Sequence, residues 1–272
     1  HAIAINSHKK YYIINSVQLI FTVGLIIMFI VFVKNIQSYH LIFGIFSANL
    51  ITVIFGWIIL KINPQIYFHK NLIKEGALFL IPLVLFSIVA IFSASADKLI
   101  LTYYYEYKDI AIYNGAFQIC FALTMFGSII QVGWSRDVYD INKWSKESLK
   151  KNLTGILILL LAVYIFFILI IPLIHGIIFP IEYSDGKKLL IYFLTGSLFQ
   201  TFYFIAKPFF IIDDKRYELL YAGSISAIIG LSLAVVFGKK SIVALSIVYL
   251  ITWFLLSIYS ILRARLIFKN FN

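Results

Sequence analysis

Five residues, Tyr192, Gly196, Gln200, Tyr203 and Lys207, stand at i, i+4, i+8, i+11 and i+15 of one apolar run. On a helix they form a single stripe about 80° wide. Lys207 precedes Pro208 and Phe209-Phe210-Ile211-Ile212, so apolar residues flank it on both sides. A lysine at mid-bilayer costs roughly 2.5–3.5 kcal/mol, less where it snorkels to the interface. Pro208 also frees a backbone carbonyl nearby. Lys207 is then either a cationic contact for an anionic group entering from the inner side or a snorkelling side chain.

A second set, Asn114, Gln118, Thr124, Ser128 and Gln131, falls within an arc of roughly 140° on another apolar helix. Such an arc is wider than one helix–helix seam. It suits the wall of a wet central space, or hydrogen bonding between helices with no other role. A third set puts Phe86, Ala90, Ser93 and Asp97 on one face, with Lys98 adjacent. Asp97 and Lys98 are expected where that helix leaves the membrane, as a helix-end ion pair or as the lining of an outer mouth.

Other chemistry is excluded. Cys120 stands alone in an apolar run, so neither a disulfide framework nor a cysteine metal site forms. The histidines, His1, His8, His40, His69 and His175, do not pair at ligand spacing, and His175, after Pro172, is expected at the interface. Asp213-Asp214 is followed directly by Lys215-Arg216, which reads as a solvated inner loop and not as a metal–nucleotide site. There is no Walker-type phosphate loop, so the chain does not itself hydrolyse ATP. No catalytic group, metal or cofactor is expected.

The elements that carry these residues are long apolar runs. Of 272 residues 62% are hydrophobic and 13% charged, whereas a soluble domain has about 45–50% apolar and about 25% charged residues. Eight runs stand out, near 12–33, 40–60, 76–96, 110–133, 153–174, 188–208, 218–237 and 241–262. Each is about the 20 residues that cross a bilayer as a helix. The expected class is an all-α, multi-pass membrane protein.

With the N-terminus inside, 16 of the 23 lysines and arginines fall on the inner side and 7 on the outer. That asymmetry places both ends in the cytoplasm. It also accounts for the net charge of +11 as attraction to an anionic leaflet, not to nucleic acid. Residues 61–75 mix apolar and basic types, as a surface-lying linker does. Tyr11, Tyr12, Tyr103, Tyr104, Tyr105, Trp134 and Trp144 gather at span ends as an aromatic belt. Ala222, Ser226 and Gly230, with Gly223 and Ala227 beside them, read as a close-packing row.

The run Pro82…Ser95-Ala96-Asp97-Lys98-Leu99-Ile100-Leu101, followed by Ile110-Ala111-Ile112-Tyr113-Asn114-Gly115-Ala116, resembles the seventh and eighth helices of the polysaccharide (O-antigen and capsule) flippases. These belong to the multidrug/oligosaccharidyl-lipid/polysaccharide exporter superfamily. Lys98 stands where that family usually has arginine, and Ala111 where it has glycine. Asp213-Asp214-Lys215-Arg216…Leu231 and Phe237-Gly238…Ala244-Leu245 resemble its last two helices, with Ser241-Ile242-Val243-Ala244 in place of Gly-Ala-Ala.

The resemblance implies a two-lobe transporter of twelve helices, of which this chain is helices five to twelve. Residues 1–60 would end the first lobe, 61–75 connect the lobes, and 76–272 form the second lobe. The chain starts at His1, so an N-terminal part is expected to be missing. The implied substrate is a lipid-linked oligosaccharide, flipped across the cytoplasmic membrane by alternating access. Its headgroup would meet Asn114, Gln118, Gln131, Gln200, Tyr203, Lys207, Asp97 and Lys98. Implied partners are membrane lipids and other polysaccharide-assembly membrane proteins. A cation-coupled multidrug exporter is the nearest alternative, but it wants a buried carboxylate and no span carries one at its middle. A membrane polymerase or ligase would need a long outer loop, and a split-gene remnant is the last alternative.

Overall fold

The computed structural model describes residues 14, 17, 20, 21, 24, 25, 28, 38–60, 70–139 and 145–270. All regular structure among them is helical: α1 (Ser38–Leu60), α2 (Lys70–Tyr104), α3 (Tyr107–Tyr139), α4 (Lys146–Ile178), a 3-10 turn (Ile181–Gly186), α5 (Lys187–Ile212), α6 (Arg216–Phe237) and α7 (Ile242–Asn270). The chain divides into two compact units, His1–His69 and Lys70–Asn272.

Among the described residues, five helices, α3 to α7, are long and apolar enough to cross a membrane. With the apolar surface they expose, they make this an all-α, multi-pass membrane protein. Eight spans were expected. The second lies within the 23-residue α1, which includes the apolar stretch Phe46–Ile59, and the third lies within the 35-residue α2. Of the first, only residues 14, 17, 20, 21, 24, 25 and 28 are described, all helical. Of the expected linker 61–75, residues 70–75 form the start of α2 and residues 61–69 lie outside the described residues.

In the first unit α1 buries Gly44, Ala48, Thr52 and Gly56, one small residue every four, and exposes Phe43, Phe46, Val53, Trp57 and Ile58. Small side chains let a neighbouring backbone approach, while large apolar ones are stable against lipid. A Cβ at Gly56 would lie 3.7 Å from Ile14, so this row faces the preceding helical segment.

In the second unit α5 is the central helix. Its apolar window is 61% buried, against 28% or less for the other four spans. It packs between α3 and α7; α6 lies beside α7, and α2 beside α6. Two glycines, Gly127 and Gly196, let α5 approach α3 and α7 closely. A Cβ at Gly127 of α3 would collide with Thr201 of α5. One at Gly196 of α5 would come within 2.5 Å of the Tyr249 ring and 3.4 Å of the Leu250 Cα on α7. The most apolar span, α4, has only 11% of its window buried. In hydrocarbon an apolar helix gains little from protein cover, so it can form the lipid-facing wall.

The breaks between helices have local causes. Ser145 caps α4 by accepting from the Ser148 N–H at 3.2 Å. Asp214, at φ 54°, ends α5 in the left-handed region, and the Lys215 N–H returns to the Phe210 carbonyl at 2.8 Å. After α2, the Tyr105 hydroxyl donates to the Gly238 carbonyl at 2.5 Å, joining that turn to the end of α6. Burial and the nearby Asp109 carboxylate raise the Tyr105 phenol above its usual range, so it remains a donor.

Candidate functional site

The core of the second unit is two apolar clusters stacked along the helices. One centres on Tyr113, Leu123, Phe193 and Leu194, and the other on Trp134, Leu160, Phe209 and Phe210. Polar residues meet between them. The Gln200 Oε1 accepts from the Thr124 hydroxyl at 3.1 Å and the Tyr249 hydroxyl at 3.2 Å, tying α5 to α3 and α7. Thr201 returns its hydroxyl to the Ser197 carbonyl, and Ser226 of α6 donates to the Thr252 carbonyl at 2.7 Å. With no water available, such bonds are how polar groups at this depth are satisfied.

The expected stripe on α5 faces these neighbours as a unit. Gly196 abuts Tyr249, and Gln200 is bonded to it. Tyr203 is 1% exposed, its ring 5.7 Å from Phe86 and 6.1 Å from Trp253, and its hydroxyl has no hydrogen-bond partner. Lys207 is half-buried, with its ammonium 5.9 Å from the centre of the Phe86 ring. Among the described residues no carboxylate forms an ion pair with Lys207. Tyr203 is thus enclosed among side chains, whereas Gln200 and Lys207 are half-buried.

The arc on α3 divides. Thr124 is buried against α5, while Asn114 and Gln131 are half-buried. Gln118 is exposed on the opposite face, near Phe121, Ala122 and Met125, so the structure does not bring it to the others.

Asp97 also differs from expectation. The helix does not end there but continues to Tyr104. Its carboxylate accepts from the Tyr113 hydroxyl at 2.6 Å and from the Lys98 N–H at 2.8 Å. Lys98 turns its ammonium over the Phe117 ring, 5.4 Å from the centroid. The side-chain partner of the acid is therefore a tyrosine of the next helix, and the acid itself is half-buried.

Asp97 forms part of the wall of a cleft between α2, α6 and α7. The cleft has a cavity volume of about 50 Å³ and is partly open to the exterior. Phe86 and Val89 of α2 face Gly223, Ser226, Ala227 and Gly230 of α6 across it, with Val248, Tyr249, Thr252 and Trp253 of α7 closing the third side. The small-residue row on α6 is therefore both a packing surface and the cleft wall.

Sequence reasoning missed several partners. Glu218 of α6 and Arg263 of α7 form a two-point ion pair at 2.7 and 2.8 Å. Trp134 is not in an interfacial belt: it is 2% exposed and donates its Nε1–H to the Ile205 carbonyl at 2.9 Å. His175 is likewise buried, at 2% exposed, with its ring 4.9 Å from Phe179. Tyr103 and Tyr104 are exposed, as belt residues would be, Tyr105 is half-buried, and Tyr11, Tyr12 and Trp144 lie outside the described residues. Asp213 pairs with Lys215 at 2.5 Å, which fits a solvated loop. Among the described residues no three His, Cys, Asp or Glu gather as a metal set.

No protein-family model, curated protein or solved structure matches this chain.

Proposed function

We propose that the protein is a carrier and not an enzyme: a flippase of the polysaccharide-exporter family that moves a lipid-linked, polyprenyl-pyrophosphate oligosaccharide across the bacterial cytoplasmic membrane. The observation that carries this reading is Lys207, a half-buried cation with no carboxylate partner among the described residues, beside a ring that lines the cleft. A cation so placed is costly and is expected to hold an anion, and a sugar pyrophosphate is one. The residue patterns around Asp97 and Asp213 add the family resemblance, and the lysine and arginine bias adds a cytoplasmic position for both ends. On this reading the second unit is the second lobe of a two-lobe transporter. The polyprenyl chain remains in the apolar phase while the headgroup crosses by alternating access. The partners are membrane lipids and other membrane proteins of polysaccharide assembly.

The test is a vesicle assay with the full-length protein and a fluorescent lipid-linked oligosaccharide. Lys207→Ala should cut transport while the amount of protein in the membrane stays the same. Undiminished transport would mean that Lys207 only snorkels.

One observation favours a second reading, a cation-coupled exporter. Asp97 was expected at a helix end, but it lies within α2, in the cleft wall and hydrogen-bonded to Tyr113. A carboxylate in that position can take up a coupling ion. Transport of a cationic dye that follows an imposed proton or sodium gradient and is lost in Asp97→Asn would select this reading.

A further inference from the structure

A set of cations at one end of the second unit has no part in the proposed function. Lys146 and Lys150 stand four residues apart near the start of α4, and Arg265 and Lys269 four apart near the end of α7. All four are exposed. The Lys146 ammonium donates to the Lys269 carbonyl at 3.3 Å, so the two helix ends adjoin. Lys150 and Arg265 each lie one turn, about 6 Å, further along their helices from that contact.

The cations thus form two tiers, Lys146 with Lys269 and Lys150 with Arg265. One bond leaves the Lys146 ammonium two further N–H donors, and a free guanidinium can grip a phosphate at two points. Among the described residues no carboxylate pairs with any of the four. Glu147 stands four residues before Lys151 and faces away from Lys146.

Beyond the cations both helices turn apolar surface outward. The stripe Lys146, Lys150, Thr154, Leu157 and Leu161 of α4 is exposed throughout, and so is Lys269, Arg265, Leu262 and Ile258 of α7. α4 and α7 each pack on α5 and not along one another, so neither stripe is covered by the other helix. Charge at the end with apolar length behind it is the complement of a lipid headgroup and its chains. Two tiers match two phosphates on one headgroup.

We propose that the adjoining ends of α4 and α7 bind an anionic phospholipid with two phosphates, of the cardiolipin type, one phosphate at each tier. Basic sets between membrane helices take such headgroups, and a lipid with one phosphate engages only one tier. The bound lipid ties α4, whose apolar window is only 11% buried, to the rest of the bundle. None of this depends on the flippase reading.

The test uses the full chain in phosphatidylcholine nanodiscs, with native mass spectrometry to count retained lipid and thermal unfolding beside it. Tetraoleoylcardiolipin should be retained as a single adduct and raise the unfolding midpoint. Dioleoylphosphatidylglycerol at equal phosphate should be retained far less. Lys150→Gln with Arg265→Gln removes the second tier and should weaken cardiolipin capture about thirtyfold. Both side chains are exposed, so the lipid-free midpoint should not move. If that double variant folds poorly, Lys269→Gln reads the first tier in the same way. Lys74→Gln with Lys151→Gln removes two exposed charges outside the set and should leave capture unchanged. Inorganic pyrophosphate should not displace the lipid, because it lacks the chains. Equal retention of phosphatidylglycerol, equal losses in the two double variants, or displacement by pyrophosphate would each overturn the proposal.

Discussion

Tyr113 donates its hydroxyl to Asp97 at 2.6 Å and joins α2 to α3, two residues sixteen apart in sequence. The Tyr113 ring is fully buried and packs edge-on against Phe193 of α5 at 4.9 Å. The carboxylate is thus held by a phenol that the central helix keeps in place. Removing the donor should be worse than neutralising the acceptor. Tyr113→Phe leaves a half-buried carboxylate short of a bond and should cost about 1 kcal/mol. Asp97→Asn keeps an acceptor for the phenol and should cost less. Thermal unfolding in detergent of both variants measures the difference, and a larger loss in Asp97→Asn would contradict it.

Gln200 holds three helices through one oxygen, with Thr124 and Tyr249 as donors. Interhelical hydrogen bonds in membrane proteins average about 0.6 kcal/mol, because the unfolded chain also finds partners in lipid. Thr124→Val should therefore lower stability by about that amount. Gln200→Leu removes the shared acceptor and should cost more than Thr124→Val and Tyr249→Phe taken separately. Unfolding in mixed micelles would read this, and strictly additive losses would argue against a shared acceptor.

Much of the fold was legible in the sequence, because an apolar helix in lipid needs only length and composition. The α5 stripe was readable for the same reason. Gln200, Tyr203 and Lys207 interrupt an apolar run at helical spacing, and each meets a partner on α2, α3 or α7. Periodicity gives the face of a helix but not what that face meets. The α3 arc was drawn correctly as an angle, yet its centre was not the buried face, so Thr124 turns inward and Gln118 outward. Trp134 and His175 show the complementary limit. A tryptophan or histidine near a span end fits an interfacial position equally well as an inward one. The Ile205 carbonyl and the Phe179 ring that hold them come from residues distant in the helical pattern or beyond the span. The small-residue row of α1 could have been read at Gly44, Ala48, Thr52 and Gly56, since its four-residue spacing is the same signal as that in α6.

Glu218 and Arg263 fix the start of α6 to the end of α7 through two parallel bonds. Both side chains are about 30% exposed, so solvent weakens the pair. A double-mutant cycle of Glu218→Gln and Arg263→Gln should give a coupling of about 0.5–1 kcal/mol. The coupling should shrink as salt rises, because exposed charges are screened over about 10 Å at 0.1 M. A salt-independent value would mean that the pair is shielded from solvent.

Gly196 places α5 against α7, and even a single added methyl there should be damaging. A Cβ there meets the Tyr249 ring at 2.5 Å and the Leu250 Cα at 3.4 Å. The ring can swing aside, but doing so gives up the Tyr249–Gln200 bond; the backbone at Leu250 cannot move without shifting α7. Gly196→Ala should therefore cost about 1–3 kcal/mol from overpacking, and Gly196→Leu should abolish the folded, monodisperse protein. Pairing Gly196→Ala with Tyr249→Phe separates the contributions. If the strain lies in the ring's hydrogen bond, the double variant is no less stable than Gly196→Ala alone. If it lies in the backbone contact, the two losses add.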